Sequence, residues 1–373
     1  MNAPKLRFKE FNDEYINLKY KDVLKIKSGK DQKKVECESG IYPILGTGGQ
    51  IGKTNSFLYD KPSVLIGRKG TINKPQYMEI PFWTVDTLFY SHIYEPNIPK
   101  YLFYSFQNVN WKKYDESTGV PSLSSSTIES VECNIPSKEE QLKVADFLSL
   151  LDKKIELQSK RIEDLKLFKK GLDIKIFNNK KMFDVGIIKE YFESNGGTAL
   201  EKYIDEKGTY NIISIGNYTS DGKYYDNGQK VIYNEKTKMK LLSKNNLAMI
   251  LNDKTTTGDI IGSTILIDED NKYIYNQRTQ KLICKNINAE YSWCFFNSKY
   301  FRDKVFRLSQ GGTQIYVNYS QIENQKIFIP KNKKIENDIV KSIFLITELI
   351  DNENDKFLKL QKLKKGLMQS MFV

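Results

Sequence analysis

The sequence predicts an α+β protein in which two mixed α/β domains alternate with two long helices that pack as an antiparallel coiled coil. Three features lead there: a heptad-patterned segment that occurs twice, a weaker correspondence between the stretches preceding the two copies, and short β-like runs punctuated by glycine within both stretches. A chain of 373 residues is long enough for two or three units that each bury a core. The pattern reads as a first domain over 1–137, a first helix over 138–178, a second domain over 179–332 and a second helix over 333–373.

The helices rest on periodicity. Leu148, Leu151, Ile155, Gln158, Ile162, Leu165, Lys169, Leu172 and Ile176 follow one another at alternating spacings of three and four. Adding 195 to each number gives Ile343, Ile346, Ile350, Glu353, Phe357, Leu360, Lys364, Leu367 and Met371, so even the polar interruptions at 158/353 and 169/364 recur. Both segments close on Lys-Lys-Gly-Leu and a final Phe, and only Gly171 and Gly366 disturb the helical pattern. An apolar stripe this long needs cover, and two matched stripes in one chain cover each other. The competing reading is two unrelated amphipathic helices, each lying on its own core.

The domains correspond more loosely. Gly29 is followed thirteen residues later by Tyr42-Pro-Ile-Leu, and Gly197 thirteen residues later by Tyr210-Asn-Ile-Ile, a shift of 168; Ile135-Pro136 answers Ile329-Pro330 at a shift of 194. The second copy therefore carries about 26 more residues, which the polar, Tyr-rich stretch 217–244 is expected to hold. Runs such as Ser63-Val-Leu-Ile-Gly67 read as strands. The order domain, helix, domain, helix implies a pseudo-twofold axis, suited to a DNA target with two half-sites.

Composition narrows the function classes. The net charge is +12, spread as +3 over 1–137, +3 over 138–180, +4 over 181–331 and +2 over 332–373. An even surplus fits several phosphate-contacting surfaces, and equally a basic protein from a lysine-rich proteome. No apolar run reaches membrane-spanning length and the opening residues lack a signal-peptide pattern, so a cytoplasmic location without membrane contact is expected. Cys37, Cys133, Cys284 and Cys294 form no CxxC pair and His92 has no neighbour at zinc spacing, so no metal site is expected.

The sharpest rival is Gly46-Thr-Gly-Gly-Gln-Ile-Gly-Lys53-Thr54, which has the look of a phosphate-binding loop. Its spacing fails, because five residues rather than four separate Gly46 from the Gly-Lys-Thr. An Asn/Asp-Pro-Pro-aromatic methyltransferase tetrapeptide is absent, and the serines at 122 and 124–126 have one distant histidine to draw on. Glu139 and Glu140 fit the helix dipole at the start of the first helix. No catalytic residues are expected.

Several stretches resemble, in order, the specificity subunits of type I restriction-modification systems. They are the opening PKLRFKEFNDEY, Tyr42-Pro-Ile-Leu-Gly-Thr-Gly-Gly49, Val64-Leu-Ile-Gly-Arg-Lys-Gly-Thr71, Asp86-Thr-Leu-Phe89, Thr118-Gly-Val-Pro-Ser-Leu123, and Ile135-Pro136 leading into Glu139-Glu-Gln-Leu142. Each motif is loose, but their order together with the duplicated helix is specific. The resemblance implies that each domain is a target recognition domain for half of a split double-stranded DNA site. It also implies that the helices set the gap and dock two modification (methyltransferase) subunits and restriction subunits, with S-adenosylmethionine, ATP and magnesium belonging to those partners. The second domain departs from the pattern, with Asn211 in place of Pro43 and GGTQIYVN at 311–318 in place of TGVPSLSS, so its half-site should differ.

Candidate DNA-contacting residues fall between the β-like runs. In the first domain they are Arg68 and Lys69, flanked by Gly67 and Gly70, for guanine edges, Lys74 for phosphate, and Ser122 and Ser124 for either. In the second they are Lys254, Thr255, Thr256, Gln277, Arg278, Gln310, Thr313 and Gln314, the glutamines being able to address adenine in bidentate fashion. A solvated loop role competes for each. Two other function classes stay open on sequence alone, a nucleotide-binding enzyme and a coiled-coil scaffold without a DNA role.

Overall fold

The computed structural model of the protein describes residues 3–372. The chain folds as two compact units, one formed by residues up to 160 together with those from 354 onward, the other by Arg161–Glu353. Each unit thus contains a globular part and one half of each long helix.

In the first unit β1 (Ile16–Lys19) pairs antiparallel with β9 (Glu132–Ile135). Strands β2 (Leu24–Ser28), β5 (Ser63–Gly67), β6 (Gln76–Met78) and β8 (Leu88–Ile93) form a sheet in the order β2-β8-β5-β6, and β3 (Tyr42–Gly46), β4 (Gly49–Thr54) and β7 (Trp83–Thr84) a second in the order β4-β3-β7. All five residues of β5 are buried, as a continuous apolar run predicts for a strand covered on both faces. Its one polar side chain is satisfied: Ser63 Oγ donates to Ser91 O at 2.7 Å and accepts from Ser91 N at 2.9 Å.

The second unit repeats this plan. Strand β10 (Phe183–Ile187) pairs with β20 (Lys326–Pro330). Strands β11 (Phe192–Gly196), β14 (Leu247–Ile250), β16 (Thr264–Leu266) and β18 (Thr279–Cys284) run β11-β18-β14-β16, and β12 (Tyr210–Ile213), β13 (Lys230–Val231) and β17 (Tyr273–Tyr275) run β13-β12-β17. The pairings β3 with β7 and β12 with β17 are both parallel. A further pair, β15 (Asn252–Asp253) with β19 (Ile315–Tyr316), stands where Lys69 bridges Ser122 in the first unit.

Register locates the surplus residues. Leu24 faces Ile93 as Phe192 faces Cys284, so the offset is 168 between β2 and β11 and 191 between β8 and β18. Leu65 faces Tyr90 as Ala248 faces Lys281, an offset of 183 between β5 and β14. The extra residues therefore enter partly before β14 and partly after it, rather than all within 217–244. The glycines at the start of the correspondence have a steric reason. A Cβ on Gly29 would lie 2.0 Å from Val85 O and one on Gly197 1.9 Å from Asn276 O, so the backbones approach too closely for a side chain.

The long helices are Lys138–Asn178 and Lys333–Met371, of 41 and 39 residues. In the first unit Val144, Ala145 and Leu148 share a core with Met368 and Met371, and in the second Ile176 and Phe177 share one with Ile339 and Ile343. The start of one helix meets the end of the other in both units, so the helices run antiparallel. Within the seam Leu148, Leu151, Ile162, Ile343, Ile346 and Ile350 are buried, and Ile155, Leu165, Leu172, Phe357, Leu360 and Leu367 are half-buried. The polar interruptions are paired. Lys364 lies 2.5 Å from Asp152 and over the Tyr104 ring, Lys169 lies over the Trp293 ring, and Glu353, 3% exposed, lies 3.4 Å from Arg161. Among the described residues no helix is long and apolar enough to cross a membrane. Burial pushes the Cys133 and Cys284 thiols up to about 12 and about 11, as inert apolar side chains.

Asp173 on the first long helix is buried in the second unit, where it accepts from Lys299 N at 2.5 Å, and burial pushes its carboxyl up to about 6. Unfolded aspartate titrates near pH ~3.9, so between about pH 4 and 6 the native state binds more protons and stability falls as pH rises. Asp173→Asn, which keeps the acceptor without a proton to lose, should remove that slope. Relative to this variant, the wild type should lose up to ~3 kcal/mol between pH 4 and 6.5, read by urea unfolding.

Candidate nucleic-acid interface

In the first unit the chain leaves β5 at Gly67 and turns through Arg68, Lys69 and Gly70. Arg68 N donates to Thr87 O at 2.8 Å, Leu123 N to Arg68 O at 2.9 Å, and Gly70 N to Pro121 O at 2.8 Å. These bonds bring exposed Arg68 and Lys69 beside Ser122 at one end of the sheet. The loop carrying Ser122 is tied by Asp115, which accepts from Ser122 N at 2.9 Å and from Ser117 N and Oγ, and these bonds hold its carboxyl below the usual range.

Two of the sequence candidates stand apart from this cluster. Ser124 caps the short helix Ser125–Ser130 by accepting from Thr127 N at 3.0 Å, and its hydroxyl donates to Glu116 at 3.0 Å, so it is already engaged. Lys74 lies with Gln107, Asp152, Lys364 and Lys365 in a separate cleft of about 590 Å³.

The second unit builds the same frame. Leu251 N donates to Arg278 O at 2.8 Å and Val317 N to Leu251 O at 2.9 Å, the counterparts of the Arg68–Thr87 and Leu123–Arg68 bonds. Arg68 therefore takes the place of Leu251, and Arg278 the place of Thr87. The arginine comes from one side of the frame in the first unit and from the facing side in the second. Around it, buried Asp253 accepts from Thr255 N and Oγ1 and from Ile260 N at 2.8–2.9 Å, which curls the loop and leaves Lys254 and Thr256 exposed. Gln310 and Tyr316 exchange backbone bonds across a hairpin whose Gly311 has φ +115°, with Thr313 and Gln314 exposed near its tip.

Sequence reasoning missed the residues that hold these side chains. Arg302 braces the 253–260 loop from behind, donating to Ile261 O and Asp259 O at 2.8 Å each. Glu201 accepts from Gln277 Nε2 at 2.8 Å and Asn276 Nδ2 at 3.1 Å. This engages one of the two amide N–H groups of Gln277 and leaves it the other N–H and its carbonyl oxygen. Nothing in the local sequence signals a partner 76 positions away.

The glycine-rich stretch 46–54 is a β-hairpin: Gly46 pairs with Gly49, φ +114°, and β4 follows instead of the helix a phosphate loop requires. The nucleotide-enzyme reading ends there. Among the described residues no group of three or more His, Cys, Asp or Glu side chains is placed to hold a metal.

A family model described as the type I restriction modification DNA specificity domain matches residues 12–167 and again 180–362. The chain is 27% identical over 300 residues to the type I restriction enzyme MjaVIII specificity subunit of Methanocaldococcus jannaschii, covering 72% of this chain and 68% of that one. The crystal structure of the type I restriction-modification S subunit from M. genitalium gives a TM-score of 0.67 at 16% identity, over 100% of this chain and 99% of that one. A second solved chain, from work on complex assembly and conformational transition of the type I restriction-modification system, gives 0.59 at 10% identity over 95% and 96%. At such identities the structural likeness speaks to the fold alone.

Lys69 and Lys254 are both exposed and lie two positions apart in the shared register of the two frames. If they meet phosphate, Lys69→Ala and Lys254→Ala should each reduce the slope of log affinity against log salt by about one, equally for any duplex sequence. Titration of fluorescent duplexes across a salt series measures this, and an unchanged slope would remove both lysines from the contact set.

Proposed function

The chain belongs to the type I restriction-modification DNA specificity family and is a specificity subunit of such a system; we propose that in this role it reads a bipartite duplex target, one half-site per unit. The observation that carries the reading is one backbone frame built twice with different side chains on it. Arg68, Lys69 and Ser122 furnish the first copy, and Arg278, Lys254, Thr255, Thr256, Gln310, Thr313 and Gln314 the second, with Gln277 beside Arg278. A shared frame with different contents is what reading two unlike half-sites requires.

The chain itself carries no catalysis in this proposal. Methyl transfer and cleavage, with S-adenosylmethionine, ATP and magnesium, belong to partner subunits in the cytoplasm. Exposed apolar residues on the helices support docking of two modification subunits. Leu150 and Leu345 are 69% and 55% exposed, Phe168 and Leu363 62% and 52%, and each pair is related by the shift of 195. Leu167 is likewise 65% exposed and Phe147 38%, whereas Phe344 is half-buried, packing edge-on against Trp293 at 5.1 Å.

Mapping methylated adenines across the genome with and without this gene tests the reading. A split motif should vanish in the deletion, and Arg68→Ala should weaken one half-site only, by about 1–3 kcal/mol. A motif that persists without the gene would overturn it.

The helices are proposed to set the gap. One heptad inserted after Gln158 adds about 10 Å at ~1.5 Å per residue. The tolerated gap should lengthen by about three base pairs, with both half-sites unaltered. An unchanged gap with full activity would remove the helices as the spacer.

A further inference from the structure

Among the described residues four non-glycine residues have positive φ. Three are asparagines, Asn245, Asn271 and Asn286, the side chain that tolerates this conformation best after glycine; the fourth is Arg278 at φ +68°. A long cationic side chain held in a left-handed backbone conformation points to a use for that side chain. Its surroundings agree. With its amide oriented so that Oδ1 faces the guanidinium, Asn252 accepts from Arg278 Nη1 at 2.7 Å and donates to Leu251 O at 3.2 Å. One of five guanidinium N–H groups is thereby engaged, and the exposed remainder keeps a donor pair. Next to it, Gln277 is oriented by Glu201: a carboxylate only accepts, so the amide NH₂ faces it and the carbonyl oxygen faces away. Glu201 is held below the usual carboxylate range by hydrogen bonds from its own backbone N–H and from Asn276 and Gln277, so it stays ionised in this role.

We propose that Gln277 and Arg278 act as one composite reader in the second unit. Arg278 donates to the O6 and N7 edge of a guanine, and Gln277 Oε1 accepts from the exocyclic amino group of an adenine or cytosine at the adjoining position. Asn252 and Glu201 are the positioning residues. This rests on the half-site reading above and specifies it: the half-site of the second unit contains a guanine next to an amino-bearing base in the major groove.

The test uses the complete complex in cells and the sequence logo of methylated sites. Arg278→Gly is the decisive variant, because glycine suits φ +68° and the chain should keep or raise its Tm while losing the guanidinium. The preference for guanine at one position of one half-site, roughly tenfold to hundredfold for a bidentate contact, should fall towards unity. Gln277→Ala should relax the adjoining position, where the wild-type logo distinguishes adenine from cytosine. Asn252→Ala should relax the same position as Arg278→Gly, and Asn252→Asp, which keeps the acceptor, should restore it; a merely structural residue would lower methylation without moving the logo. A lower yield with an unchanged logo in Arg278→Gly overturns the composite reader while leaving the half-site reading intact. Absence of any split motif in the wild type overturns both.

Discussion

A helix of some forty residues with an apolar side chain at alternating three- and four-residue spacing cannot stand alone in water, and this chain contains two. Each buried Leu or Ile of the seam gains about 1.5–3 kcal/mol only if a matching surface is present along the length. That requirement explains why each unit takes half of each helix into its core. Val144 and Leu148 with Met368 and Met371, or Ile176 and Phe177 with Ile339 and Ile343, are as much domain core as helix seam. The polar interruptions obey the same constraint. Lys364 and Lys169 reach out of the seam to an aromatic ring of their own unit, Tyr104 and Trp293, so their stems stay packed while the charge finds a partner surface.

With core packing and strand pairing holding each unit together, the loops that leave β5 and β14 are exposed and can carry variable side chains. The frame there consists of backbone hydrogen bonds, Arg68 to Thr87 in one unit and Leu251 to Arg278 in the other, so its side chains do not build it. Duplication preserved the frame and let its contents diverge, down to which strand supplies the arginine. A scaffold whose geometry depends on main-chain groups can change specificity without changing fold.

What periodicity carries was legible. The seam follows from spacing alone, and so does the match between copies, because a helix expresses local sequence. The position of the extra residues was not, since an offset of 168, 183 or 191 is decided by strand pairing between distant segments. Candidate contact residues fared unevenly for the same reason. Arg68, Lys69 and Ser122 converge, whereas Ser124 is engaged as a helix cap and Lys74 lies in another cleft. The anchor of Gln277 is Glu201, an acid in a different segment that no motif marks.

Acids at these loops carry a cost in any encounter with a polyanion. Asp115 and Glu116 in the first unit and Glu201 and Asp253 in the second each lie within the candidate interface. Each also accepts two or more hydrogen bonds from the loops it organises, which holds those side chains in one arrangement before DNA arrives. Long-range attraction does not depend on these positions, since the surplus of +12 is spread over the whole chain. The division follows from what each term can do. Diffuse positive charge favours every duplex alike, while a side chain oriented by a fixed carboxylate discriminates between base edges because it cannot rearrange to suit the wrong one. Replacing the acids with neutral residues would strengthen general attraction and loosen the loops they organise, so acids beside the candidate contact residues trade affinity for a fixed arrangement.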